Sequence, residues 1–174
     1  MGLSELDSPM DRILDALAAE FALPEMELLV AALVRLAMAA LLAAVIGWER
    51  EQKGRAAGLK THILVSTGSA LFILAPVMAG IPGAENTRVM QGIVSGIGLL
   101  GAGAILRNRE GTQVEGLTTA ASIWMTAAIG MAAGMGLEVL AITATVLTWL
   151  VVAAIPKLIG STPAHRGGPG PDQR

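Results

Sequence analysis

Residues 61–84 read THILVSTGSALFILAPVMAGIPGA, 24 positions without an Asp, Glu, Lys or Arg. A helix needs roughly 20 apolar residues to cross about 30 Å of hydrocarbon, so this stretch is long enough to span a membrane. Residues 89–106, 116–137 and 139–156 are equally free of charge, and residues 28–48 hold one, Arg35. None alternates polar and apolar positions as a barrel strand does. Backbone in lipid must pair its own polar groups, which leaves the helix. The expected fold is an all-α membrane protein with five transmembrane helices, at about 28–48, 62–80, 89–106, 117–135 and 138–156. One such run could be a buried helix of a soluble core; five with short connections argue against that.

The composition agrees. Of 174 residues, 53% are hydrophobic and 15% charged, with a mean hydropathy of +0.64. Soluble domains carry about a quarter charged residues. No cysteine is present, which removes disulfides, thiolate metal sites and a cysteine nucleophile. Two histidines cannot form a three-His zinc site, and no HExxH occurs. A net charge of -2 argues against a nucleic-acid binder. No set of nucleophile, base and orienting group can be assembled, so no catalytic residue, cofactor or metal is expected. Glu49 and Glu51 come nearest to a carboxylate pair, but they flank Arg50 in what reads as a solvated loop.

Three parts follow from the charge pattern. Residues 1–27 form an acidic segment that carries seven acids, with Arg12 its only basic residue, the opposite of a signal peptide. Within it, residues 9–22 suit an amphipathic helix. Ser8 can cap it, Pro9 fits its first turn, Pro24 stops it, and Met10, Ile13, Leu14, Leu17 and Phe21 recur at helical spacing. Such a helix lies on the outer membrane surface or covers the bundle. Residues 28–156 form the transmembrane domain. Residues 157–174, rich in Gly and Pro, read as a flexible tail. Loop Lys and Arg set the orientation. Arg50, Lys53, Arg55, Lys60, Arg107, Arg109, Lys157, Arg166 and Arg174 fall on one side, against Arg12 and Arg88 on the other. The positive-inside rule then places the N-terminus outside and the C-terminus in the cytoplasm.

The third span contains Gly96-Ile97-Gly98-Leu99-Leu100-Gly101, which matches the dinucleotide fingerprint GxGxxG. That motif needs a preceding strand and a βαβ unit, and here it lies inside an apolar run. Close helix packing is the better account, because small residues let helices approach in lipid. Gly92, Ser95, Gly96 and Gly103 share a face, and the fourth span offers Ala127, Gly130 and Gly134, so these two spans are expected to cross tightly. The alternative is a third span locally unwound at Gly96, Gly98, Gly101 and Gly103, with free carbonyls lining a site.

Arg35 lies about 10 Å below the outer end of the first span, at 1.5 Å per residue. It either snorkels to the headgroups or meets a partner, with Glu138 first choice and Glu27 and Glu85 also near. Most hydroxyls in the spans are expected to bond back to the preceding turn. His62 reads as an interfacial residue, Trp48 as an anchor, and Trp124 and Trp149 as packing residues. Pro76 deletes one backbone bond in the second span.

Three stretches together resemble the MgtC/SapB family of bacterial inner-membrane proteins. The first is Gly47-Trp48-Glu49-Arg50-Glu51 with Ala57-Gly58-Leu59-Lys60-Thr61-His62. The second runs from Arg88 through Gln91 and the glycines to Leu106. The third is Gly116-Leu117-Thr118-Thr119-Ala120-Ala121-Ser122-Ile123-Trp124, continuing to Gly130. Leu99 stands where the family commonly has Phe, and Lys60 where it has Arg. The resemblance implies a place in the inner membrane and a link to growth under magnesium limitation and inside host cells. It favours regulation through contact with other membrane proteins, such as the F-type ATP synthase, over magnesium transport. Virulence-associated members add a soluble C-terminal domain; this chain reads as the membrane core. The expected partners are the lipid bilayer and either further copies of the chain or other membrane proteins, with no nucleic acid. The competing reading is a small transporter or channel with its site near the glycine-rich third span.

Overall fold

The computed structural model describes residues 8–21, 24–81, 83, 86–106 and 116–155, and among these every regular element is a helix. In chain order they are α1 (Pro9–Glu20), α2 (Met26–Gln52), α3 (Leu59–Met78), α4 (Asn86–Leu106), α5 (Leu117–Gly134) and α6 (Glu138–Trp149). A π-helical turn, Leu150–Ala154, extends α6. The helices α2, α3, α4 and α5 are each long and apolar enough to cross a membrane. With its π turn, α6 makes a shorter apolar helix, Glu138–Ala154. The molecule is a multi-pass membrane protein.

Local chemistry explains the helix ends. At α1, the Met10 amide donates to Ser8 Oγ at 3.1 Å and the Ser8 amide donates to Asp11 Oδ2 at 3.1 Å, a reciprocal capping box. No residue of α1 is buried, so it does not cover the bundle. Pro76 lies inside α3, two residues before the helix ends at Met78. The α2 helix does not stop at Trp48 but continues to Gln52, carrying the charged run Glu49-Arg50-Glu51 with it.

The centre of the bundle is α5, which packs against α2, α3, α4 and α6. Its apolar window is 61% buried, against 11% for α4 at the edge. One core cluster joins Ala39, Ile46, Ala70, Ile129, Ala132, Ala133 and Ala141; a second joins Ile73, Ile93, Ala127 and Met131. The alanines matter because lipid is as apolar as Leu, so close contact rather than hydrophobic transfer holds these helices together.

The glycine pairing differs from expectation. A Cβ on Gly134 would lie 2.8 Å from the Ala70 carbonyl oxygen, and one on Gly130 would collide with the Ser66 backbone. Both glycines therefore face α3, not α4. On α4, Gly92, Gly96, Gly98 and Gly103 have nothing within Cβ reach, and only Gly101 approaches α5, with an added Cβ 3.5 Å from that of Ala120. The physical reason is that α3 presents its own small residues, Ser66 and Ala70, toward α5, while α4 contributes larger ones, Ile93 and Ile97, to the cluster it shares with α5. The α4 helix is continuous across its glycines. Trp124 and Trp149 are 46% and 42% exposed and face outward rather than packing inside. Trp48, at 59%, suits an interfacial anchor.

Candidate functional site

Charged residues gather at one end of the bundle. Three successive helical residues project about 100° apart, so Glu49, Arg50 and Glu51 reach three different neighbours. The buried Arg50 donates through Nη2 to Thr119 Oγ1 on α5 at 3.0 Å. Glu51 Oε2 accepts from the Leu59 amide at 2.7 Å and so caps α3. Glu49 forms an ion pair with Lys53, one turn on, and Lys53 Nζ donates to the Val152 carbonyl in the π turn at 3.1 Å. One helix end is thereby tied to α3, α5 and the end of α6.

His62 completes the cluster. It is fully buried between helices, with Nδ1 2.9 Å from the Gly58 carbonyl and Nε2 3.3 Å from Ser122 Oγ. The carbonyl can only accept, so Nδ1 carries a proton, and in the neutral ring Nε2 accepts from a donor. The Ser122 hydroxyl also lies 2.8 Å from the Thr119 carbonyl, so its single proton is shared between two acceptors. The close approach of α2 and α3 rests on Gly47, where a Cβ would fall 2.8 Å from Leu59 Cα. Within the cluster, Arg50 Nε and one carboxylate oxygen of Glu49 have no hydrogen-bond partner among the described residues.

The opposite end of the bundle carries a second fastening. Arg35 Nη1 donates to the Gly134 carbonyl at 3.4 Å, and a Cβ on Gly136 would lie 2.6 Å from Nη2. The cation thus sits at the C-terminus of α5, where free carbonyls and the helix dipole favour it. The expected pairing with Glu138 does not form, and Glu27 makes no ion pair with Arg35 either. Glu85 lies outside the described residues. Ser66 crosses helices as well, donating to the Ala39 carbonyl at 2.9 Å. Thr67, Ser69, Ser122, Thr126, Thr143, Thr145 and Thr148 bond back to their own helices as expected.

Of the residues singled out in the sequence, the structure brings together Glu49, Arg50, Glu51, His62, Thr119 and Ser122. Thr61, Thr118 and Trp124 belong to the same motifs but are exposed, and Arg88 and Gln91 are exposed on α4. Arg107 and Arg109 lie outside the described residues. Sequence reasoning missed Lys53, Ser66 and the Val152 carbonyl. The spacing of Glu49 and Lys53, four apart, was the available signal. Among the described residues no cluster of acidic, His or Cys side chains could hold a metal ion.

The MgtC family profile matches residues 36–160, which includes the whole cluster. The chain belongs to the MgtC family. YhiD of Escherichia coli (strain K12) is 42% identical over 134 residues, covering 72% of this chain and 61% of YhiD. SrpB of Synechococcus elongatus is 43% identical over 135 residues, covering 71% of this chain and 74% of SrpB. MgtC of Salmonella typhimurium (strain 14028s / SGSC 2262) is 47% identical over 115 residues, covering 66% of this chain and 48% of MgtC. The chain thus spans about half to three quarters of the length of these relatives. No solved structure matches it. Within this MgtC-family chain, the aligned core contains Arg35's neighbour Leu36, the Glu49–Glu51 run, His62, Thr119 and Ser122.

Proposed function

We propose that this MgtC-family protein resides in the bacterial inner membrane and supports adaptation to magnesium limitation or stress through contacts with other membrane proteins, without catalysis. The link to magnesium comes from its relatives: YhiD is named for a proposed role in magnesium transport. The observation that carries the contact reading is the use made of buried polar groups. Arg50, His62 and Ser66 each tie one helix to another, and the acidic side chain buried among them, Glu49, is held by Lys53. A Mg²⁺ path is expected to offer carboxylates or carbonyls with room for several waters. The continuous α4 keeps its carbonyls within the helix, which removes the support for a site there.

In this reading five helices span the membrane, with residues 1–27 outside and the C-terminus in the cytoplasm. The hub of Glu49, Arg50, Lys53 and His62 then lies at the cytoplasmic end, and Arg35 at the outer end. The test is growth at limiting Mg²⁺ of a strain lacking the gene. A growth defect restored by the wild-type gene supports the proposal; growth equal to the parent strain overturns it. A solute-carrying role for Mg²⁺ or another ion is the alternative, and direct flux measurement separates the two.

A further inference from the structure

The turn between α5 and α6 lies recessed at the end of the bundle opposite the Glu49–Arg50 cluster. Arg35 marks its level on α2, because the guanidinium donates to the Gly134 carbonyl and lies against Gly136. Arg35 comes eight residues after Glu27, or roughly 12 Å of helix. Ala70 marks the same level on α3, where a Cβ on Gly134 would meet its carbonyl. The helix runs on for eight residues to Met78, again roughly 12 Å. Both α2 and α3 therefore overtop the turn. Their overhanging parts are apolar: Val30, Leu33 and Val34 on α2 and Leu71 and Phe72 on α3 are each more than half exposed. Such surface requires hydrocarbon around it.

The turn itself requires the opposite. Arg35 makes one hydrogen bond, through Nη1 to Gly134 at 3.4 Å, and no ion pair with a described residue. Glu138, two residues beyond Gly136, has no hydrogen bond or ion pair among the described residues. The helices that meet at the turn are short. The 18 residues of α5 give roughly 27 Å and the stretch Glu138–Ala154 roughly 25 Å, against about 30 Å of hydrocarbon. A flat bilayer thick enough to cover Val30 and Phe72 would bury both charges in hydrocarbon, which supplies no partner. A flat bilayer thin enough to free the charges would leave those apolar side chains in water. Arg35 cannot snorkel out of the recess while its guanidinium is held on Gly134.

We infer that the bilayer surface is drawn inward at the α5–α6 turn and that a lipid headgroup occupies the recess, its phosphate on Arg35 and its ammonium on Glu138. A helix shorter than the hydrocarbon thins the bilayer locally, which brings headgroups to this depth. The guanidinium has N–H groups left over from Gly134, and a phosphate accepts them with matching geometry. Two opposite charges close together but unpaired fit a headgroup that carries both. The carboxylate accepts from a primary ammonium, whereas a quaternary one has no N–H to donate. The occupant is thus a zwitterionic lipid with a primary amine, such as phosphatidylethanolamine. This site goes beyond the magnesium reading and holds whether or not any solute is carried.

The chain has no cysteine, so single cysteines report depth. In liposomes of phosphatidylethanolamine and phosphatidylglycerol, a membrane-impermeant thiol reagent supplied on both sides should modify Leu137→Cys and leave Val30→Cys untouched, although Val30 lies nearer the end of α2. Equal reaction of the two, or no reaction at Leu137→Cys, overturns the inference. Native mass spectrometry of the full-length protein identifies the occupant. Offered equal amounts of phosphatidylethanolamine, phosphatidylcholine and phosphatidylglycerol in detergent, the wild type should retain phosphatidylethanolamine in preference. Arg35→Gln should retain one lipid fewer. Glu138→Gln, which breaks no bond within the described residues, should lose the preference over phosphatidylcholine and keep the lipid. Equal retention of the three lipids by the wild type, an unchanged lipid count in Arg35→Gln, or an unchanged preference in Glu138→Gln overturns the inference.

Discussion

The Arg50 guanidinium donates to the Thr119 hydroxyl across 3.0 Å, and both side chains are buried where α2 and α5 meet. A buried charge that loses its partners cannot be compensated by lipid. Arg50→Ala leaves the buried Thr119 hydroxyl without its partner while Glu49 keeps Lys53, and should destabilise the protein by about 1–3 kcal/mol. Thr119→Val should cost roughly 1.5–3 kcal/mol, the worth of a hydrogen bond to a charged group. Unfolding of purified protein in detergent measures both. A double-mutant cycle should show coupling between the two sites, and strict additivity would argue that the contact carries no energy.

Lys53 provides a second check on the same end. Lys53→Met strands the largely buried Glu49 and releases the Val152 carbonyl. It should be more damaging than Glu49→Gln combined with Lys53→Met, which removes both charges together. Relative melting temperatures decide this. A double variant less stable than Lys53→Met would mean that Glu49 has another cation.

The glycine assignment separates two helices. Gly130→Ala already forces a Cβ into the Ser66 backbone, and such overpacking should cost about 1–3 kcal/mol. Gly98→Ala, with open space around it, should be neutral or stabilising by up to about 1 kcal/mol, because alanine is the better helix former. Thermal unfolding of the two variants should move in opposite directions or differ clearly in size.

At the other end of the bundle, Arg35→Ala removes the cation from the C-terminus of α5 and should cost up to about 2 kcal/mol. Glu138→Gln should leave stability unchanged, since the two residues are not paired in the structure. Equal losses from both variants would restore the Arg35–Glu138 pair.

The helices were legible in the sequence because a membrane forbids charge over about 20 residues, and the gaps show where. The end of α2 was not. Glu49, Arg50 and Glu51 read as solvated because charges after an apolar run usually leave the membrane, yet here the helix continues and turns each side chain toward a neighbour. The glycines announced close packing without naming the partner helix, since a small residue carries no mark of what approaches it. The ligand of Arg35 was illegible for a related reason. It is the main-chain carbonyl of Gly134, and a carbonyl has no sequence signature. His62 belonged to a recognisable motif, but only the fold shows that its ring lies against Ser122, sixty residues away.

The central claim is that the buried polar groups hold helices together and do not line a path for ions. Mg²⁺ flux through purified wild-type protein in sealed liposomes tests it most directly, with an indicator dye inside and a Mg²⁺ gradient across the membrane. The account predicts uptake no faster than in protein-free liposomes. Saturable Mg²⁺ uptake by the pure protein, lost on substitution of Glu49 or of a glycine of α4, would contradict it.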